Sequence, residues 1–149
     1  VIADEPTTAL DVTTQAQIID LFQDLQHKLN TSIVFISHDL GVIGEISDEI
    51  AVLYAGYVME HCDVTTLFKN PCHPYTFGLM ASRQGRSMYN KERLYNIPGM
   101  VPSAENMPKG CPFAPRCPKA GERCRQEVPE LREIAPGHTV RCWEVSEHV

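Results

Sequence analysis

Two acids, Asp4 and Glu5, stand side by side directly after the apolar run Val1-Ile2-Ala3, and an imidazole, His38, follows the next such run, Ser32 to Ile36. A strand that delivers adjacent carboxylates at its C-terminal end puts them in the crevice where α/β sheets bind ligands. In that place one acid holds Mg²⁺ through its water shell, and the next orients and polarises an attacking water. A right-handed crossover, the rule between parallel strands, brings His38 to the same sheet edge, within reach of a phosphate. Taken alone, the two acids also read as an ordinary solvated turn.

A second set of reactive side chains lies near the end of the chain. Cys111, Cys117, Cys124 and Cys142 are separated by five, six and seventeen residues. Four thiolates complete either a tetrahedral zinc site or an iron–sulfur cluster. The spacing lacks the tight C-x₂₋₄-C bite of structural zinc, and wider spacing suits a cluster in which each Cys reaches a different iron. On spacing alone zinc and cluster stay open together. Disulfides come third, because they need an oxidising compartment that the rest of the chain contradicts. Pro112, Pro115 and Pro118 keep the loop extended. Cys62 and Cys72 fall outside the set and read as small buried apolar residues. His61, His73 and His138 read as turn or packing residues rather than ligands. Trp143, the only tryptophan, reads as a cover for the cysteine loop or an anchor for the tail.

The elements that must position these groups follow from periodicity. Val1-Ile2-Ala3 is the end of a buried strand, stopped by Pro6. Thr13 or Thr14 caps a helix to about Asn30, with Ile18, Leu21, Phe22, Leu25 and Leu29 at helical spacing. Ser32 to Ile36 is a continuous β-branched and aromatic run, as in a strand covered on both faces. A short helix through Leu40, Val42, Ile43 and Ile46 comes next, then a strand from Glu49 to Tyr54 and an Ala55-Gly56 turn into Tyr57-Val58-Met59-Glu60. Strand, helix, strand, helix, strand is half of an open α/β sheet. Asp63 caps a short helix ended by Asn70-Pro71, and Pro74-Tyr75 opens another. Ser82 to Asn90 is polar and basic, a linker. From Pro98 onward prolines crowd in, which leaves little room for regular structure.

Composition narrows the classes. The 149 residues hold 13 Lys and Arg against 19 Asp and Glu, a formal charge of -6, which argues against nucleic acid as a partner. No apolar stretch approaches the roughly 18–20 residues that span a bilayer, and no signal-peptide pattern opens the chain. Because it starts at Val1 inside an apolar run, the chain is expected to be a C-terminal piece.

Val1-Ile2-Ala3-Asp4-Glu5-Pro6-Thr7-Thr8-Ala9-Leu10-Asp11 resembles the Walker B and D-loop stretch of ABC ATPases, and Ile36-Ser37-His38-Asp39-Leu40 resembles their switch-histidine segment. Asn70-Pro71-Cys72-His73-Pro74-Tyr75-Thr76, Ile97-Pro98-Gly99-Met100-Val101-Pro102, Gly110-Cys111-Pro112-Phe113, Arg116-Cys117-Pro118 and Pro136-Gly137-His138 resemble the tail of oligopeptide and dipeptide importer ATPases. The resemblance implies an α/β fold, the C-terminal half of a P-loop NTPase-like sheet over residues 1–82. An irregular Cys/Pro-rich module over 83–149 would follow it. It implies ATP and Mg²⁺ as cofactors, with Asp4 on Mg²⁺, Glu5 as general base, His38 on the γ-phosphate, and Asp11 at the interface with a second ATPase subunit. It further implies integral-membrane permease subunits as partners, a peripheral place on the cytoplasmic side of the membrane, and a 4Fe–4S cluster on Cys111, Cys117, Cys124 and Cys142, with Zn²⁺ as the alternative. No G-x-x-x-x-G-K-[ST] loop and no Leu-Ser-Gly-Gly-Gln-type signature occurs in the 149 residues. The piece by itself is therefore expected to be inactive, and its open strand edges to favour self-association. Two other readings are a metal-binding or oligomerisation module and an ABC-type ATPase with a non-transport role.

Overall fold

A computed structural model describes residues 1–82 and 96–145. All of the expected linker from Ser82 to Asn90 except Ser82 lies outside the described residues, and the expected domain boundary after residue 82 falls at their edge. The chain divides into two compact units, Val1–Asp48 and Glu49–Val149.

In the first unit β1 (Ile2–Asp4) and β2 (Val34–Ile36) pair in parallel, Ile2 opposite Val34 and Asp4 opposite Ile36. Helix α1 (Val12–Leu29) connects them. It packs Phe22 edge-on against Phe35 of β2, ring centroids 5.5 Å apart, and buries Ile19. Its cap is Asp11, not Thr13 or Thr14. One carboxylate oxygen accepts the Thr13 and Thr14 N–H groups and the other accepts the Thr14 hydroxyl. An acceptor with two oxygens serves a helix start better than a threonine that is already inside the first turn. Helix α2 (Leu40–Ile46) is capped in the same way by Asp39. The β2 run expected to be covered on both faces is open: Val34 is 57% and Ile36 45% exposed.

The expected third strand of an open sheet takes a different partner. β3 (Glu49–Tyr54) pairs antiparallel with β4 (Tyr57–Asp63) in a four-stranded sheet of order β3-β4-β6-β5. Two local signals account for this. Its residues alternate exposed and buried, the mark of a strand covered on one face. Ala55 and Gly56 both take positive φ, +48° and +84°, as a tight hairpin turn requires. The cysteine- and proline-rich tail is also less irregular than expected. β5 (Arg132–Ala135) and β6 (His138–Val140) form a hairpin whose β6 pairs with β4, Glu60 opposite Val140 and His61 opposite Thr139. Helices α3 (Val64–Lys69), α4 (Pro74–Ala81) and α5 (Glu122–Gln126) complete the unit.

An aromatic cluster forms one part of the core of this unit. Phe113 stands 5.2 Å from Tyr54, 5.3 Å from Tyr75 and 5.8 Å from His73, centroid to centroid. His73 is buried and caps α4, its Nδ1 accepting the Tyr75 N–H at 3.0 Å. Burial pushes its pKa down to about 4, against a hydrogen bond to the Arg141 backbone that raises it. Above about pH 6.5 the ring is neutral in folded and unfolded chains alike. As pH falls toward 4 the unfolded chain takes up the proton first, so stability is lost through that window. The expected loss for this unit is on the order of 3 kcal/mol between pH 7 and pH 4. Urea midpoints across that range measure it. His73→Asn, which keeps an acceptor for the Tyr75 N–H, should flatten the slope; an unchanged slope would assign the pH dependence to other groups.

Candidate functional site

The parallel register ends β1 and β2 level with each other, Asp4 opposite Ile36. One further backbone bond, Glu5 N–H to the Ile36 carbonyl at 2.9 Å, extends the ladder past the strands. Glu5 then leaves the sheet in left-handed backbone, φ +46°. That region is sparsely populated by residues other than glycine and is often found where a side chain is aimed for chemistry. The turn is closed by Thr8 N–H to the Glu5 carbonyl and Leu10 N–H to the Thr7 carbonyl.

The strand ends bring Glu5 and His38 together. His38 Nδ1 lies 3.1 Å from Glu5 Oε1, and the Thr8 hydroxyl donates to Glu5 Oε2 at 2.9 Å. The bond from the His38 ring, then that from Thr8, holds the Glu5 carboxyl below the usual carboxylate range. Glu5 is therefore an anion at neutral pH, solvent-facing, with one oxygen on an imidazole and the other on a hydroxyl. Asp4 is exposed one residue earlier on the strand. Asp11 is engaged with the start of α1, and its bonds to Thr14 hold its carboxyl below the usual range.

The four tail cysteines converge in the second unit. The Cys111 N–H donates to the Cys124 carbonyl at 2.8 Å. Gly110 makes this approach possible, since a Cβ there would sit 2.3 Å from that same carbonyl oxygen. Tight turns follow, Ala114 N–H to the Cys111 carbonyl and Cys117 N–H to the Ala114 carbonyl. Cys111, Cys124 and Cys142 are buried and Cys117 is half-buried. Burial pushes the Cys111, Cys117 and Cys142 thiols up, and negative charge on neighbouring cysteines of the set adds to the rise. Cys117 senses all three of the others. Trp143 packs on this core and its indole N–H donates to the Glu127 carbonyl, while the Arg123 guanidinium lies 3.5 Å above its ring.

Sequence reasoning missed one grouping. Glu60, Cys62 and His138 are all buried, and their ligand atoms lie within 4.8 Å of one another. Among the described residues the four tail cysteines form no group of three that close. The i, i+2 placement of Glu60 and Cys62 on a strand was visible, but the pairing that brings His138 beside them, across β4 and β6, was not. Cys62 is buried and Cys72 half-buried, as expected of small apolar residues.

In an NMR titration the Glu5 carboxyl should ionise below the ordinary glutamate range, and His38→Ala should raise its pKa toward that range. The charged form is the one favoured by folding, so its stabilising effect is present at neutral pH and lost as pH falls through the lowered pKa. A Glu5 titration indifferent to His38→Ala would show that the 3.1 Å contact is not made in solution.

Residues 59–124 match the model of the oligopeptide/dipeptide transporter, C-terminal region. The probable peptide ABC transporter ATP-binding protein of Sinorhizobium fredii is 51% identical over 148 residues, 99% of this chain and 44% of that protein. The oligopeptide transport ATP-binding protein AppD of Bacillus subtilis is 50% identical over 145 residues, 95% of this chain and 43% of its own length. OppD of Haemophilus influenzae is 49% identical over 142 residues, again 95% of this chain and 43% of its own length. The chain thus spans less than half the length of the curated relatives it matches. Over nearly all of its length, then, the chain is similar to part of proteins named as ATP-binding proteins of peptide and oligopeptide transport.

Proposed function

We propose that the chain supplies part of the ATP-hydrolysing subunit that powers oligopeptide or dipeptide import across the cytoplasmic membrane. The contact between His38 and Glu5, 3.1 Å apart at the shared edge of two parallel strands, carries this reading. Asp4 offers an exposed carboxylate, the hard oxygen donor that Mg²⁺ takes. ATP with Mg²⁺ supplies the phosphoryl group and its leaving group. Glu5, held ionised, orients and polarises the water. The His38 imidazole reaches the γ-phosphate while Glu5 fixes its ring. Asp11 lies at the interface with a second ATPase subunit and holds the start of α1 there.

Permease subunits in the membrane and a second ATPase subunit are the partners, with the protein peripheral on the cytoplasmic side. No helix among the described residues is long and apolar enough to cross a membrane. The exposed Ile2, Val34 and Ile36 on the two-stranded sheet support a covering partner, because parallel sheets are ordinarily covered on both faces. The 149-residue chain by itself should therefore self-associate, and a strictly monomeric species in sedimentation would count against this.

Cys111, Cys117, Cys124 and Cys142 carry a 4Fe–4S cluster in this reading, with Zn²⁺ the alternative. Thiolates about 2.3 Å from one zinc ion stand under about 4 Å apart. Ligands separated by five, six and seventeen residues suit a cluster in which each reaches its own iron.

No phosphate-binding loop occurs in these 149 residues, so they should turn over no Mg-ATP by themselves. Within a complete ATP-binding subunit assembled with its permease, Glu5→Gln should lower ATP hydrolysis by about 10²–10⁴-fold and leave nucleotide binding in place. Steady-state hydrolysis beside equilibrium ATP binding measures the two effects separately. Undiminished turnover by Glu5→Gln would remove Glu5 from the chemistry.

A further inference from the structure

We propose that Glu60, Cys62 and His138 form a binding site for one soft divalent cation of the zinc class, separate from the four tail cysteines. Strand geometry builds it. Glu60 and Cys62 are two residues apart on β4 and so share a face. The β4–β6 register sets Glu60 opposite Val140 and His61 opposite Thr139, and its next step sets Cys62 opposite His138. The three residues are 0%, 1% and 6% exposed, and one ligand atom from each lies within 4.8 Å of the other two.

The donor set selects the ion. A thiolate, an imidazole nitrogen and a carboxylate oxygen suit zinc and its chemical neighbours, whereas magnesium and calcium take oxygen alone. Charge agrees: a carboxylate and a thiolate neutralise a divalent ion, so the filled site buries no net charge. The surroundings of a ligating carboxylate are already in place. Glu60 Oε1 accepts the Cys72 N–H at 2.8 Å and Oε2 accepts the His73 N–H at 2.9 Å, the kind of support that orients metal ligands. His138 Nε2 lies 2.8 Å from Glu60 Oε1, a proton-bridged distance. A tetrahedral ion about 2.0–2.1 Å from each atom asks them to part to roughly 3.3 Å, a small movement.

The sulfur is the telling member. A hydrogen bond between Glu60 and His138 has no need of a thiol beside it, yet the Cys62 sulfur lies within 4.8 Å of a ligand atom of each. The Cys72 thiol is half-buried and its own N–H is held by Glu60 Oε1 at 2.8 Å, so water or Cys72 completes the coordination. On binding, the Cys62 S–H bond breaks, any proton on His138 Nε2 is lost, and both protons pass to solvent as the metal–sulfur and metal–nitrogen bonds form. The other ring nitrogen of His138 then carries the remaining proton, and nothing is oxidised or reduced.

The test is a Co²⁺ titration of the whole chain with Cys111, Cys117, Cys124 and Cys142 all replaced by Ser, folding being checked by circular dichroism. The expected result is one equivalent bound, with thiolate-to-cobalt charge-transfer absorption that Zn²⁺ abolishes by competition. Adding Cys62→Val, which keeps the buried volume apolar, should remove that absorption and weaken Co²⁺ binding by more than ~100-fold. If the four-serine chain does not fold, the same comparison is made on the unmutated background, where Cys62→Val should lower the zinc content by one equivalent. A folded four-serine chain that binds no cobalt would overturn the site. So would a Cys62→Val chain that keeps the absorption or the full zinc content.

Discussion

A carboxylate with no exposed surface, that of Glu60, constrains the second unit more than any other group. Burying a charge costs several kcal/mol unless hydrogen bonds replace the lost water. Glu60 recovers them from the Cys72 and His73 N–H groups and from the His138 ring. Those three bonds fix the turn before α4 and the start of β6 against β4. With His73 so placed, it caps α4 and meets Phe113, and Phe113 in turn meets Tyr54 and Tyr75. Cys111 and Cys117 lie on either side of Phe113 in the chain, so the loop that carries them is tied to this aromatic cluster.

The first unit is organised by the opposite device, an exposed charge held out of the sheet. Glu5 extends the β1–β2 ladder with its N–H and then turns through positive φ. The carboxylate is thereby carried off the strand and toward His38. Thr8 secures the other oxygen from three residues on. A side chain held by bonds at both oxygens while facing solvent is ordered in advance and loses little further entropy when it meets another group.

Signals that live within a few residues were legible in the sequence, and those that depend on remote pairing were not. The apolar spacing of α1, the Asp63 cap, the Asn70-Pro71 stop and the Pro74 start all act locally, and the structure places those elements where they were read. The Asp11 cap was overlooked because threonines two and three residues further on also fit a cap pattern. The alternation Ile50, Val52, Tyr54 with Ala55-Gly56 announced a hairpin, but an order of strands and helices suggested a parallel continuation, and local turn chemistry won. Convergence of Glu5 and His38 was deducible from crossover handedness. The meeting of Glu60 with His138, 78 positions apart, depends on a register that nothing in a single sequence encodes.

The tail also shows why a proline-crowded segment need not be shapeless. Each proline removes an N–H and leaves its neighbours' carbonyls without a ladder partner, so such a segment holds more acceptors than donors. Guanidinium groups, with five N–H donors and no acceptor, correct that imbalance. Arg116 donates to the Ile97 and Pro98 carbonyls and to the Tyr54 hydroxyl, Arg141 to the Val58 and Pro129 carbonyls, and Arg132 to those of Cys142 and Val145. Arg116 and Arg141 also lie over the rings of Tyr54 and Tyr57. These arginines point their donors inward, at the protein's own backbone, and so are not displayed to an outside anion. That agrees with the acidic balance of the chain and turns residues that would elsewhere suggest phosphate binding into the fasteners of the cysteine-bearing tail.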